Sequence, residues 1–238
     1  MRAHIISPDL QQFETAGYAV FPEILSDRQL QHLAQEIESF VDVTSNTRKV
    51  LEAPWCSDAA EQLRAEPRLR PLLPPYAHAV QCTLFSKTKE NNWLVSLHQD
   101  LSIPVAERVE SLQCSCWSHK EGDLFVQPPV TTLERIVALR LHLDDCDEEN
   151  GALRVVPGSH RLGRLSNSAA QQERNRSGES CVAVPRGGVM AMRPLLLHAS
   201  SKASGGSPRR VLHFVYGPPD LPSGLRWPLR NRLVVNAR

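Results

Sequence analysis

The front of the chain shows the spacing of apolar residues that is typical of helices. Ser7 predicts the start of a first helix that ends at Gly17, and residues 18–21 alternate as a short strand. Residues 25–43 predict a long amphipathic helix, and residues 58–73 predict one or two short helices interrupted by prolines. The apolar face of the long helix comprises Leu30, Leu33, Ile37 and Phe40.

From residue 79 onward the pattern changes to short apolar or alternating runs, which are typical of β-strands. Gly and Pro cluster between these runs, as in "ENGALRVVPGSH". The predicted strands cover residues 79–85, 93–97, 135–143, 152–156, 181–184, 189–192, 195–198 and 211–216. Many short strands behind a helical front predict a mainly β fold with flanking helices, namely a double-stranded β-helix, the cupin-like jelly-roll barrel.

The length of 238 residues, of which 41% are hydrophobic and 22% charged, suits one large domain. We expect one domain over residues 1–238, with a helical front part over about 1–78 and a jelly-roll core over about 79–217. Residues 101–135 read as an insertion that folds over the barrel mouth as a lid.

Charge and composition narrow the choice of partners. The 27 basic and 26 acidic residues leave a net charge of +1, which gives no electrostatic case for nucleic acid or an anionic membrane. No apolar run resembles a secretory signal or a membrane span, so we expect a cytoplasmic monomer or homodimer that acts on a small molecule. The six cysteines lack a repeated C-x-x-C; Cys114 and Cys116 stay open as a metal pair, against the simpler reading of two reduced thiols.

Two H-x-D triplets are candidates for a metal site. His98 and Asp100 lie in "VSLHQDLSIP", and His142 and Asp144 lie in "LRLHLDD". Residues two apart in a strand point to the same face, so either pair can grip one ion. Two imidazoles and one carboxylate on one side of a metal leave open positions that suit iron(II).

A third ligand is expected from a histidine elsewhere in the chain. His198 stands out because it ends the apolar run "RPLLLH", as a ligand at a strand end would. A loop then leads to Arg209 and Arg210, one of which can enter the barrel and receive a carboxylate. The other candidates are His119, His142, His160 and His213.

Three stretches in order, "LHQD", "LHLDDCDEENGALRVVPGSHR" and "LLLHASSKASGGSPRR", resemble the phytanoyl-CoA dioxygenase family of iron(II)- and 2-oxoglutarate-dependent oxygenases. The opening "FETAGYAVFPEILSDRQL" is also similar to that family. The resemblance implies that His98, Asp100 and His198 are the catalytic iron ligands. It places Arg209 on the distal carboxylate of 2-oxoglutarate and gives Asp144 no ligand role. It also places Ser200 beside the distal histidine as a residue that binds the cosubstrate by a hydrogen bond, with a solvated loop serine as the alternative.

Further residues are assigned to binding. Arg140 and His142 share one face of a predicted strand, and either is a candidate to line the cosubstrate or substrate pocket, with a structural polar role as the alternative. Arg140 is assigned to the cosubstrate, while His119, His160 and His213 are expected to be structural. The lid is predicted to supply substrate contacts, and a lysine with aromatic neighbours suits a carboxylate. These predicted contacts are Trp117, Lys120, Phe125 and Gln127.

The activity that the resemblance implies is oxidation of a C–H bond, as in hydroxylation, coupled to decarboxylation of 2-oxoglutarate to succinate with dioxygen as oxidant. The carboxylate of Asp100 favours hydroxylation over halogenation. The alternatives are a cupin-type metalloenzyme that does not use 2-oxoglutarate, a non-catalytic binding or sensor protein on the same barrel, and a nucleic-acid demethylase. The near-neutral charge disfavours the last of these.

Overall fold

The computed structural model describes residues 7–40, 47–89, 91–204 and 208–228. Parts of the predicted front and of the loop before Arg209, residues 1–6, 41–46 and 205–207, lie outside the described residues. The helices are α1 (Pro8–Ala16), α2 (Asp27–Phe40), α3 (Pro54–Ala65), α4 (Val130–Leu133) and α5 (Asn167–Ser177). Short 3-10 helices cover Val50–Glu52, Arg70–Leu72 and Ser159–Leu162. Across these described ranges, no helix combines the length and the apolar character that a membrane crossing requires.

Twelve strands are described, in chain order β1 to β12. They are β1 (Tyr18–Phe21), β2 (His78–Lys87), β3 (Val95–His98), β4 (Ile103–Val105), β5 (Ser115–Lys120), β6 (Asp123–Gln127), β7 (Val137–His142), β8 (Leu153–Val155), β9 (Ser180–Val182), β10 (Val189–Met192), β11 (His198–Ser200) and β12 (Arg209–Gly217). A five-stranded sheet has the order β1-β10-β7-β12-β2, and a four-stranded sheet has the order β3-β11-β8-β9. All of their pairs are antiparallel. The prediction of a mainly β fold with flanking helices is confirmed.

The first two helices form as the sequence predicts. The Ser7 hydroxyl accepts a hydrogen bond from the Leu10 amide, and Gly17 ends α1 in the left-handed region with φ of +84°. Along α2, Leu30, Leu33 and Ile37 are buried, whereas Phe40 is half exposed and packs edge-on against Trp55. The helices therefore present an apolar face to the sheet.

The two faces of the five-stranded sheet differ in character. On β12, Leu212, Phe214 and Tyr216 pack with the helices in one apolar cluster, and the Tyr216 hydroxyl donates a hydrogen bond to the Ala60 carbonyl in α3. On the other face of β12, Arg209, His213 and Val215 line a cavity between the two sheets. The period of two along one strand therefore builds both the helix-facing core and the site.

The strand predicted over residues 195–198 is wrong. Residues before His198 form a turn closed by the bond from the Leu196 amide to the Arg193 carbonyl, and β11 begins, rather than ends, at His198. Each of Leu195, Leu196 and Leu197 packs in a different hydrophobic cluster, which explains why all three positions are apolar. Three consecutive apolar residues thus give the sequence pattern of a buried strand although they form a turn.

The segment over residues 101–135 contains strands that the pattern did not reveal. It forms a third sheet of order β4-β6-β5, followed by α4. Pro104 interrupts the signal of β4, and Cys116, with φ of +52°, lies where the register of β5 shifts. Alternation of apolar and polar residues is lost at such a bulge, so sequence pattern cannot detect the strand.

Candidate active site

Three metal-binding side chains converge in the cavity. His98 ends β3 and lies directly opposite His198 of β11 in the sheet register, and Asp100 follows two residues after His98. The Asp100 carboxylate oxygens lie 3.6 Å from His98 Nε2 and 3.8 Å from His198 Nε2. All three donor atoms lie within 4.8 Å of one another, which is close enough to share one ion. Within the described ranges this is the only such cluster of three, and neither Cys114 nor Cys116 belongs to one.

Backbone carbonyls set the tautomer of both histidines. The His98 Nδ1 lies 2.8 Å from the Ser96 carbonyl, and the His198 Nδ1 lies 2.9 Å from the Leu196 carbonyl. A carbonyl oxygen only accepts, so each Nδ1 must carry the proton and donate. The lone pair of a neutral ring then resides on Nε2, the atom that faces Asp100, which is how ligating histidines are oriented.

The charges of the cluster also suit a cation. Burial raises the pKa of Asp100, but His198, His98 and His213 outweigh burial and hold that pKa well below its ordinary value. Burial lowers the pKa of His198 to about 4, although Asp100 opposes the change. Near neutral pH the cluster therefore offers a carboxylate and at least one neutral imidazole, the forms that bind a metal.

Gln99 connects this strand to its surroundings. Its amide nitrogen donates to the Gly163 and Leu195 carbonyls at 2.8 and 2.7 Å, and its amide oxygen accepts from the Leu165 backbone at 2.9 Å. The bond to Leu195 holds the segment after β3 against the turn before His198, and the other two bonds hold it against residues 163–165. The residue between His98 and Asp100 thus anchors the backbone that carries both.

The second H-x-D triplet has a different environment. Asp144 receives two hydrogen bonds from the Arg210 guanidinium, at 3.0 and 2.9 Å, and one from the Arg210 backbone at 2.8 Å. His142 is buried but does not line the cavity that Arg140 lines, which corrects the expectation that it would. Neither of its ring nitrogens has a hydrogen-bond partner among the described residues. Asp144 therefore forms an ion pair with Arg210, on the face of β12 opposite Arg209.

Arg209 points into the same cavity as the three convergent side chains. It is only 2% exposed, its Nε has no hydrogen-bond partner, and its Nη1 lies 4.0 Å from the Cys146 Sγ. A buried guanidinium without a carboxylate is costly unless a ligand supplies one. An anion bound in the cavity would balance the charge of this side chain.

Ser200, which also lines the cavity, is engaged with a lysine that the sequence did not single out. The Ser200 hydroxyl donates to the Gly151 carbonyl at 3.0 Å and accepts from Lys87 Nζ at 2.7 Å. Lys87 is 1% exposed, also donates to the Ser201 carbonyl, and lies opposite Arg209 in the register of β2 and β12. Only the pairing of these distant strands reveals Lys87, so no local signal could have found it.

Arg140 and His213 form a pair in the wall of the cavity. Arg140 Nη1 donates to His213 Nδ1 at 2.9 Å, so a neutral His213 carries its proton on Nε2. That Nε2 lies 3.9 Å from an Asp100 oxygen, and burial together with Arg140 lowers the pKa of His213 to about 3. The sequence prediction of a structural role missed His213 as a cavity residue, although its position four residues after Arg209 on one strand was a usable signal.

The four residues of segment 101–135 that are predicted to contact the substrate fall into two groups. Lys120, Phe125 and Gln127 line the cavity, whose volume is about 430 Å³, and Lys120 Nζ lies 4.8 Å from the centre of the Phe125 ring. Trp117 does not reach this cavity. It lies in a separate surface groove, where the Arg108 guanidinium stacks over its ring at 5.5 Å, because it occupies the opposite face of β5. His119 is exposed, and His160 packs against Gly17.

Two facing antiparallel sheets with a cluster of two histidines and one aspartate between them define the class of double-stranded β-helix metalloenzymes. A family model for phytanoyl-CoA dioxygenase (PhyH) matches residues 13–211. The chain belongs to this family of iron(II)- and 2-oxoglutarate-dependent dioxygenases. The predicted family, jelly-roll fold and class of enzyme are confirmed.

Solved structures show the same fold. HygX from Streptomyces hygroscopicus with nickel, 2-oxoglutarate and hygromycin B bound aligns with a TM-score of 0.62 at 20% identity, over 90% of this chain and 88% of that one. EctD from S. alaskensis with 2-oxoglutarate and 5-hydroxyectoine aligns with a TM-score of 0.66 at 19% identity, over 91% and 78%. The carbocyclase SnoK from nogalamycin biosynthesis has a TM-score of 0.60 at 14% identity, over 97% and 90%. No curated protein matches the chain by sequence.

Proposed function

We propose that this dioxygenase oxidises a C–H bond of a small molecule, using iron(II), 2-oxoglutarate and dioxygen, in the cavity between its two main sheets. The observation that carries the proposal is the convergence of His98, Asp100 and His198 in the same cavity as the buried Arg209. A metal site alone suits many reactions, and a buried arginine alone suits many anions. The two together suit a dicarboxylate that binds a metal at one end.

Three residues are proposed to hold iron(II): His98 and His198 through Nε2, and Asp100 through its carboxylate. The donor set fits, because two neutral imidazoles and one carboxylate suit iron(II) and leave positions for other ligands. When bound, the iron activates dioxygen for oxidation of a C–H bond with decarboxylation of 2-oxoglutarate to succinate. The protein orients these groups and excludes water.

Arg209 is proposed to bind the distal carboxylate of 2-oxoglutarate through its two-pronged guanidinium. Arg140 contributes a second positive charge to the cosubstrate side of the cavity and fixes the His213 ring, whose Nε2–H faces the cavity as a donor. Ser200 contributes indirectly, since its only proton is donated to the Gly151 carbonyl and its oxygen accepts from Lys87. It therefore acts by orienting Lys87 beside Arg209.

On the lid side, Lys120, Phe125 and Gln127 are proposed to contact the substrate, because they line the cavity opposite the barrel wall. HygX with hygromycin B and EctD with 5-hydroxyectoine support a small molecule as the substrate. Trp117 is not included, since it lies in the separate groove. We further propose a cytoplasmic monomer or homodimer that acts without nucleic acid, in keeping with the net charge of +1.

The test is an anaerobic titration of iron(II) and then 2-oxoglutarate into the wild type, His198→Ala and the control His119→Ala, which changes an exposed lid histidine. The visible absorption band of an iron(II) keto-acid chelate is expected in the wild type and in His119→Ala. It is expected to be absent in His198→Ala, with folding checked by circular dichroism. No band in folded wild type contradicts the proposal.

A further inference from the structure

The cavity has an excess of positive side chains. In the part of the chain that the structure describes, Asp100 is the only carboxylate that lines it, whereas Arg140, Arg209 and Lys120 line it without an ion pair. Arg48 also lines the cavity, but its guanidinium is paired with Glu121 at 2.6 Å. Buried cations without partners are costly, so a ligand is expected to balance them.

Iron(II) and 2-oxoglutarate do not remove this excess. The metal brings two positive charges and the cosubstrate two negative charges, so they cancel each other. Three cationic side chains and one carboxylate then leave two positive charges in the loaded cavity. If Arg209 is assigned to the distal carboxylate of the cosubstrate, Lys120 still has no counter-charge.

Lys120 is placed to meet the substrate. It lies at the end of β5, half-buried over the Phe125 ring, and the charged groups that affect it are Arg48 and Asp100. Burial and Arg48 lower the pKa of Lys120, and Asp100 raises it. Glu121, the neighbouring acid, is already engaged by the guanidinium and the backbone amide of Arg48. The ammonium group therefore faces the cavity without an acidic partner among the described residues.

We propose that the substrate is an anion, a small molecule whose carboxylate or other oxyanion group is bound by Lys120 of the lid while its C–H bond lies beside the metal ligands. This inference rests on the proposed function, because that function assigns the charge of Arg209 to 2-oxoglutarate. Lys120 and Asp100 line the same cavity of about 430 Å³, so one small molecule can reach both. The lid thus selects the substrate by charge, and the barrel performs the chemistry.

The test uses benzoate and benzamide, two probes of nearly the same size that differ in charge. Each is titrated by calorimetry into the anaerobic protein loaded with iron(II) and 2-oxoglutarate, whose visible band is recorded first. Benzoate is expected to bind about tenfold or more tightly than benzamide, since one charge-assisted contact is worth roughly that factor.

Three variants test whether the preference for benzoate over benzamide depends on Lys120. Lys120→Met keeps the apolar stem over Phe125 and is expected to abolish the preference, and Lys120→Arg is expected to restore most of it. Lys202→Met, which removes an exposed lysine outside the cavity, is expected to leave the preference unchanged.

The outcomes separate the two proposals. If the visible band forms but benzoate is not preferred, or neither probe binds, the anionic substrate is overturned and the proposed function stays intact. The same holds if the band is lost because benzoate displaces 2-oxoglutarate. A preference that persists in Lys120→Met overturns the role of Lys120. Absence of the band before any probe is added overturns the proposed function, and with it the charge balance from which the inference was drawn.

Discussion

Arg209 and Arg210 are consecutive residues of β12, yet their guanidinium groups have opposite environments. Arg209 is buried in the cavity beside Lys87, and Arg210 lies on the other face of the strand, paired with Asp144 and, at 3.6 Å, with Glu38. Adjacent residues in a strand point to opposite faces, so only one of the two can contact a ligand in the barrel. At the scale of the residue, the direction of the side chain decides its function.

This difference predicts opposite effects for the same substitution. Arg209→Gln is expected to raise the concentration of 2-oxoglutarate needed for half-maximal chelate formation by about 10- to 100-fold, because charge-assisted contacts with the distal carboxylate are lost. Arg210→Gln is expected to leave that concentration within about twofold and to lower stability instead, since Asp144 loses its partner. Spectroscopic titration and denaturant unfolding of both variants measure this. Equal effects on cosubstrate binding would contradict the assignment of Arg209.

At the scale of the element, the turn that leads from β7 to β8 supports the side of the cavity that Arg209 and Ser200 line. Asn150 donates to the Asp145 carbonyl at 2.7 Å and accepts from the Asp147 amide at 2.9 Å, which closes the turn. Gly151 follows with φ of +81°, and a Cβ there would lie 2.8 Å from the Ser201 carbonyl oxygen and 2.9 Å from Lys87 Nζ. The turn thus requires glycine both for its backbone conformation and for the space that Lys87 occupies.

Gly151→Ala and Gly178→Ala together separate the need for a left-handed backbone conformation from the need for space beside Lys87. Gly178 has φ of +76° but nothing within 4 Å of an added Cβ, so its substitution carries backbone strain alone and is expected to cost about 1 kcal/mol of unfolding free energy. Gly151→Ala adds the collision with Ser201 and Lys87 and is expected to cost roughly 1–3 kcal/mol more. Denaturant unfolding compares the two variants. Equal costs would show that the contact with Lys87 is easily relieved.

At the scale of the whole molecule, folding opposes the protonation of several histidines. Burial, together with neighbouring charges, lowers the pKa of His198 to about 4 and that of His213 to about 3, from an ordinary value of 6.5. The pKa of His142 is lowered as well, by burial and by the charges of Arg140 and Arg209. The pKa of His98 is raised, because Asp100 outweighs burial. Burial also lowers the pKa of His160, so four histidines with a lowered pKa outnumber one with a raised pKa, and the folded protein resists taking up protons.

The stability of the metal-free protein is therefore expected to fall on acidification. Between pH 6.5 and about 4 the unfolded chain binds protons that folded His198 and His213 do not, so the free energy of unfolding decreases as pH falls, by about 1–3 kcal/mol between pH 7 and pH 5. Denaturant unfolding at both pH values measures the change. His213→Gln, which keeps an acceptor for Arg140, is expected to reduce the slope, and His32→Gln, at an exposed helical position, is expected to leave it unchanged. A pH-independent wild type would contradict this account.

Local pattern alone determined much of this protein. The caps of α1, the apolar stripe of α2 and most strands of the two main sheets follow from periodicities of 3.6 and 2, because these record which face of each element is buried. The ordered motifs around His98, His142 and His198 also identified the family. Local pattern gave a wrong strand at residues 195–198, where three leucines pack in three different clusters. It also missed the strands of residues 101–135, where a bulge and a proline interrupt the alternation.

Only the tertiary structure decided which polar side chains meet. Lys87 lies opposite Arg209, His213 lies beside Arg140, and Trp117 lies away from the cavity that Lys120 lines. Polar residues on the inner face of a barrel have the same period of two as residues that face solvent, so the sequence cannot distinguish a cavity wall from a surface. Strand pairing over more than a hundred residues of chain, as between Lys87 of β2 and Arg209 of β12, makes that distinction, because it alone brings these groups into one buried space.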